Sequence, residues 1–369
     1  MTWIECEGFE VYGDDGTSGA DMQTGLDLRY DDGTSNAGTS GSLAASFTLA
    51  DNDEADGTWA LEFPATSVGQ AANLAIPTKA AYNVVPNSTG ELVYSFRWFY
   101  DENFTGTKRM FSVMTGNLGS GTAFASGTDL SIVDDGAVEW DDGGAAVKSA
   151  TGVLVDQTWH YIQIRMLFSA TGTNAGTVTV TVDGTDVIDI SSRGFFASFN
   201  KFWGVRFEQD QSMPIQRMDD LVIYELDGVD HTEIIGDRRI VRLVPESDAS
   251  PNDFTPSTGT DNYALIDEVE LDETDYVDGT NAEDDHYGIT EPSASVIDCL
   301  QIDVVCQATS GTPTLHIGFD DGTADEVSGG VIGTAANEVV RAIFPLDPSN
   351  DAWTASAVGA VDATQRVTE

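Results

Sequence analysis

Pairs of adjacent carboxylates recur along the chain, among them Asp14/Asp15, Asp134/Asp135, Asp141/Asp142, Asp219/Asp220 and Asp320/Asp321. Such pairs supply the oxygen ligands that Ca2+ requires, and they equally form turns and solvate a surface. Calcium is the one cofactor these pairs suggest. An aromatic ring beside polar groups is the platform on which a sugar lays its apolar face. Trp140, followed by Asp141 and Asp142, is one candidate glycan-binding group and Trp203 is another. Both are also of the size and type that fill a sandwich core. The four histidines, His160, His231, His286 and His316, are scattered, and Gly-x-Ser-x-Gly, His-Glu-x-x-His, Walker and Cys-x-x-Cys motifs are absent. No catalytic residue is assigned.

The elements that must hold these groups are strands. Asp-Gly-Thr recurs at Asp15, Asp32, Asp56, Asp183, Asp278 and Asp321, and Asp-Gly supplies the positive φ angles of tight hairpins. The flanks of these tripeptides do not repeat, so they mark reused turn chemistry and not a solenoid. Period-two alternation runs through Leu92 to Tyr100, Trp159 to Phe168 and Gly176 to Gly184, where Val178, Val180 and Val182 face one way and three threonines the other. Lys201 to Glu208 and Asp219 to Leu226 add two more strands, and a short helical turn is expected near Ala71 to Ile76. Residues 1–228 therefore predict an all-β unit of two packed sheets.

Beyond residue 228 the texture changes. Residues 229–369 hold 29 acids against five Arg and no Lys, whereas residues 1–228 hold 33 against 11. Strands are predicted at Arg238 to Val244, Ile297 to Gln307, Thr314 to Phe319 and Asn337 to Phe344. Asp261 to Asp285, with 11 acids and no base, predicts a long acidic loop or an arm laid against a neighbour. The division is thus 1–228 and 229–369, the second a smaller acidic β domain for attachment or oligomerisation.

Over all 369 residues, 62 acids against 16 bases give a formal net charge of −46, which disfavours nucleic acid and anionic membrane as partners. No run of about 18 apolar residues is present to insert in a membrane. The N-terminal residues lack a basic flank and an apolar core, so synthesis and solubility in a cytoplasm are expected. If Cys299 and Cys306 lie on one strand, they point to opposite faces about 23 Å apart, so free thiols are expected.

Trp159-His160-Tyr161-Ile162-Gln163-Ile164-Arg165, the Val-rich hairpin closing at Asp183-Gly184-Thr185, and Met218-Asp219-Asp220-Leu221-Val222-Ile223 resemble the concanavalin A-like, laminin-G-like jelly roll. The resemblance implies a lectin-like sandwich over residues 1–228, and because the family's paired Asp sits at a strand entrance near the rim it makes Asp219 and Asp220 the candidate calcium ligands. Glycan-cleaving members carry Glu-x-Asp-x-Glu on one strand, a carboxylate pair at the separation retention requires. The nearest approach here, Glu139-Trp140-Asp141-Asp142, has the wrong spacing, so a non-enzymatic chain is expected. The second half, from Gly236-Asp237-Arg238 through Asn262-Tyr263-Ala264 to Trp353-Thr354, is similar to segments that follow lectin-like domains in virion proteins of tailed bacteriophages.

Together these resemblances imply a virion structural protein, a head decoration, fibre or tail component on the outer surface, assembled in the host cytoplasm. Its implied partners are other virion proteins, further copies of itself (a trimer by analogy) and host-surface or environmental glycan. The alternatives are a glycan-binding module of a cellular protein and a glycoside hydrolase or lyase.

Overall fold

The computed structural model describes residues 2–7, 48–51, 59–63, 72–77, 91–116, 125–141, 146–167, 176–193, 201–209, 212–226, 235–267, 274–323, 325–332 and 338–368. They form two compact units, 1–240 and 241–369, so the division falls at Ile240 and not at residue 228. The chain is all-β, a jelly-roll sandwich followed by a second, smaller β domain.

The strands of the first unit are β1 (Thr2–Glu7), β2 (Thr48–Asp51), β3 (Trp59–Phe63), β4 (Ala72–Pro77), β5 (Glu91–Tyr100), β6 (Thr107–Gly116), β7 (Ala125–Val133), β8 (Val138–Asp141), β9 (Val147–Lys148), β10 (Thr158–Leu167), β11 (Gly176–Val182), β12 (Thr185–Arg193), β13 (Lys201–Gln209) and β14 (Gln216–Leu226). They build an eight-stranded sheet in the order β12-β11-β10-β5-β14-β3-β2, with β1 also paired to β14, and a six-stranded sheet in the order β4-β13-β6-β7-β8-β9. Every pairing is antiparallel. Residues 71–76, read above as a helical turn, are instead β4: Ala72 to Pro77 pairs with Gln209 to Gly204 of β13. Sheet pairing outweighs the weak local helical preference of Ala and Leu.

Alternation builds the core as the sequence predicts. Leu92, Tyr94, Phe96, Trp98 and Tyr100 of β5 are all buried, as are Ile162, Ile164 and Met166 of β10 and Val178, Val180 and Val182 of β11. From the facing sheet come Phe111, Leu130, Ile132 and Phe207. The sheets interlock through aromatic edges: Phe96 meets Phe207 at 5.0 Å and Tyr94 meets Phe111 at 5.4 Å between ring centroids, both edge to face. Asp183 and Gly184 turn the β11–β12 hairpin with φ of 48° and 77°, the positive pair that a two-residue turn demands. The Asp183 carboxylate also reaches back to β10, accepting from the Tyr161 backbone N–H at 2.9 Å and pairing with His160 Nδ1 at 2.7 Å.

One irregularity concerns β14. Between Asp219 and Val222 it advances three residues while β5 advances two, from Arg97 to Ser95. Met218 on one side of this bulge and Leu221 and Ile223 on the other remain in the core. The extra residue is Asp220, held at φ 51°.

The second unit contains β15 (Pro245–Asn252), β16 (Thr255–Pro256), β17 (Val277–Asp278), β18 (Asp284–Ile289), β19 (Leu300–Cys306), β20 (Thr314–Asp320), β21 (Asp325–Val331), β22 (Glu338–Phe344) and β23 (Asp362–Thr368). A five-stranded sheet runs β15-β18-β23-β20-β21, beside the pairs β16-β17 and β19-β22. Its core holds Ile317, Phe319, Phe344, Trp353 and Val358, with Leu300, Ile302, Val304 and Cys306 of β19 packed against it. Cys299 and Cys306 are both half-buried. A four-residue helix α1 (Ala355–Val358) starts at Thr354, whose side chain accepts from the Ala357 backbone N–H.

Two expectations fail here. Residues 238–244 belong to no strand; the Ile240 N–H is taken instead by the Asp220 carboxylate. Asp261 to Asp285 is not wholly loop: its described residues include a 3-10 turn at Tyr263–Leu265, β17 and the start of β18.

Phe207 is fully buried and touches both Phe96 and Phe111. Phe207→Ala is expected to destabilise the protein by about 3–5 kcal/mol, measured by urea unfolding; a loss under about 1 kcal/mol would contradict this packing.

Candidate functional site

The solvent-side residues of β10, β5 and β14 come into line because each strand alternates. In one cross-strand row Trp159 pairs with Phe99 and Phe99 with Arg217; Arg217 then pairs with Glu62 of β3. The Phe99 and Trp159 rings meet edge to face at 5.6 Å. The Arg217 guanidinium lies 5.4 Å from the centre of the Phe99 ring, and its Nε donates to Glu62 at 3.1 Å. All four side chains are half-buried. Two aromatic rings, a guanidinium and a carboxylate thus share one sheet face.

The next rows of this face are polar but buried. Gln163 Nε2 lies within 3.1–3.4 Å of Ser95 Oγ, Tyr161 Oη and Tyr224 Oη. A strap, residues 235–240, is laid over them. The Tyr161 hydroxyl donates to the Gly236 carbonyl, the Ile235 N–H donates to Tyr224 Oη, and Arg97 pairs with Asp237 at 2.7 Å. Burial pushes the Tyr161 hydroxyl well above its ordinary value, so it serves as a donor and not as a base.

Asp220 anchors the far end of the strap. Its Oδ1 accepts from the Ile240 N–H at 2.8 Å and its Oδ2 from Arg239 Nη1 at 3.1 Å, while Arg97 Nε stands 3.5 Å away. The carboxyl is pushed up to about 6 by burial, against the opposing pull of the Ile240 N–H and of Arg239 and Arg97. His160 is likewise occupied, by Asp183 at Nδ1 and by the Val155 backbone at Nε2.

The sequence candidates fall differently. Trp140 is 1% exposed and part of the core; its position on β8 turns it inward, so it cannot stack on a sugar. Asp141 is exposed at the end of β8, and Asp142 lies outside the described residues. Trp203 lies on β13, but its side chain is outside them. Asp219 and Asp220 are buried, and their carboxylates are directed to the Asp220 N–H, the arginines and the strap. They therefore turn and fasten the chain, with no open oxygen cluster for calcium. Trp159, Phe99, Arg217 and Glu62 were missed, although their signal was present: aromatic residues at the polar phase of alternating strands.

No protein-family model and no curated protein matches the chain. Among solved structures it is similar to the endo-β-1,4-glucuronan lyase of the fungus Trichoderma reesei, at 14% identity and a TM-score of 0.36, over 48% of this chain and 86% of that one. It is also similar to an alginate lyase of Aplysia kurodai, at 12% identity and a TM-score of 0.43, over 61% and 99%. The Trypanosoma rangeli sialidase gives 14% identity and 0.34, over 52% of this chain and 29% of that one. These neighbours are glycan-processing enzymes, and none points to a virion. The expectation of a non-enzymatic virion structural protein is corrected accordingly.

A carboxyl whose native pKa lies above its unfolded value holds its proton more tightly when folded. Its contribution to stability is full below about 4 and is lost as pH rises through about 6. The stability of the protein relative to Asp220→Asn is therefore expected to fall between pH 4 and pH 6, followed by urea unfolding. A difference that stays constant across this window would show that Asp220 does not titrate there.

Proposed function

We propose that residues 1–240 form a carbohydrate-directed sandwich that receives a glycan on the outer face of its eight-stranded sheet. The observation that carries this reading is the row Trp159, Phe99, Arg217 and Glu62. An aromatic pair offers the apolar face of a pyranose a surface to stack on, while the guanidinium donates to its hydroxyls and the carboxylate accepts from them. The strong net negative charge favours a neutral glycan, since a polyanion would be repelled except at high salt. The structural alternative is a cross-strand cluster that merely stabilises the sheet, and such clusters contribute about 0.2–1 kcal/mol per pair.

Binding separates the two. On a panel of neutral oligosaccharides, at least one is expected to bind in calorimetry, and Trp159→Ala to weaken it about tenfold or more, equivalent to about 1.4 kcal/mol. The reverse substitution pattern, with Trp159→Ala lowering the melting temperature and no oligosaccharide bound by either protein, would reduce the row to a sheet-stabilising cluster. Assaying the same mixtures for new reducing ends tests the enzymatic form of the proposal, in which the bound glycan is also cleaved.

A further inference from the structure

The second unit carries a histidine whose surroundings are incomplete. His286 of β18 is 4% exposed, and neither ring nitrogen has a hydrogen-bond partner. Three carboxylates face it. Asp284 Oδ1 stands 3.5 Å from Nε2, Asp320 Oδ2 3.6 Å from Nδ1 and Asp362 Oδ2 4.0 Å from Nδ1. Asp284 Oδ1 is itself buried and without a hydrogen bond. Sheet register explains the convergence: Asp362 of β23 pairs with Asp320 of β20 on one side and with Gly288, two residues beyond His286, on the other.

A neutral imidazole here would turn a lone pair toward carboxylate oxygen, and a protonated one would close to about 2.7–2.9 Å on its carboxylates. Neither matches. Ligands bonded at about 2.1 Å to one ion lie about 3.0 to 4.2 Å from each other in an octahedral shell and about 3.4 Å apart in a tetrahedral one. The two Nδ1 distances fall in that interval.

We propose that His286 Nδ1, Asp320 and Asp362 bind one divalent first-row metal ion. With the metal on Nδ1, the proton resides on Nε2 and is donated to Asp284 Oδ1. This is the carboxylate support that metal-bound histidines commonly have. Asp284 is held for the task by Arg366, whose Nε donates to its other oxygen at 2.9 Å, and Asp320 keeps Oδ2 for the ion because its Oδ1 accepts from the Gly322 N–H. The ion thereby satisfies all three unpartnered atoms. An imidazole with two carboxylates suits Zn2+ or Mn2+ better than Ca2+, which takes an all-oxygen set. Among the described residues no group of three such side chains, as placed, could hold an ion, so the aspartates must turn on binding even though their distances from Nδ1 lie in the ligand–ligand range. Their side chains are 23% and 37% exposed, which leaves them room to turn.

The test is titration of the full chain with Zn2+ and with Mn2+ by calorimetry, together with nitrogen NMR of the His286 ring. One site per chain, tighter than the background from surface carboxylates, is expected. It should weaken at least tenfold in His286→Gln and in Asp362→Asn, and Zn2+ should shift the Nδ1 resonance. Asp362→Asn, at a strand end, keeps the test valid if His286→Gln does not fold. A site that persists in the folded variants, binding no stronger than background, or a doubly protonated ring that ignores Zn2+ would each overturn the proposal.

Discussion

The alternation of β5 governs the first unit. Its even-numbered residues from Leu92 to Tyr100 are buried in the core, which leaves Phe99, Arg97 and Ser95 on the other face of the sheet. Because β10 and β14 are both paired to β5, their phases are tied to it. A slip of one residue would exchange core and surface on three strands together. The aromatic edges that join β5 to the opposite sheet oppose such a slip, so the packing that stabilises the sandwich also aims Trp159 and Arg217 outward.

Where the chemistry was local, it could be read from the residues. The Val-Thr alternation of β11 and the Asp183-Gly184 turn are short-range patterns, and both appear as expected. Residues 71–76 could not be read in this way, because their strand character comes from β13, more than a hundred residues away in the chain. Trp140 and Trp159 illustrate the same limit at the candidate site. Each tryptophan sits beside polar residues in sequence, and only the phase of its strand decides that Trp140 enters the core while Trp159 stays half-exposed. The cluster at His286 was hidden for a related reason. Its members lie on three strands, β18, β20 and β23, and sheet register alone brings them together.

Buried charge is treated differently in the two units. Asp220 is surrounded by cations and a backbone donor, which moderate the cost of its burial. Asp285, fully buried in the second unit, accepts from Phe254 N, Asn262 Nδ2 and the Tyr287 hydroxyl, at 2.8, 2.7 and 2.7 Å. It is satisfied by neutral donors, and it locks β18 to the chain that precedes it. Each carboxylate fastens an irregular segment to a sheet, where backbone pairing is not available.

The bulge in β14 separates what the sheet requires from what the strap requires. On both sides of Asp220 the strand is in the same phase, with Met218 before it and Leu221 after it in the core. Removing that one residue would therefore leave an unbroken strand with every remaining side chain on its present face. The sandwich does not need the extra residue; the chain 235–240 does. Asp220 is an extra residue that the sheet accommodates and the segment crossing it uses, so the two could be altered separately.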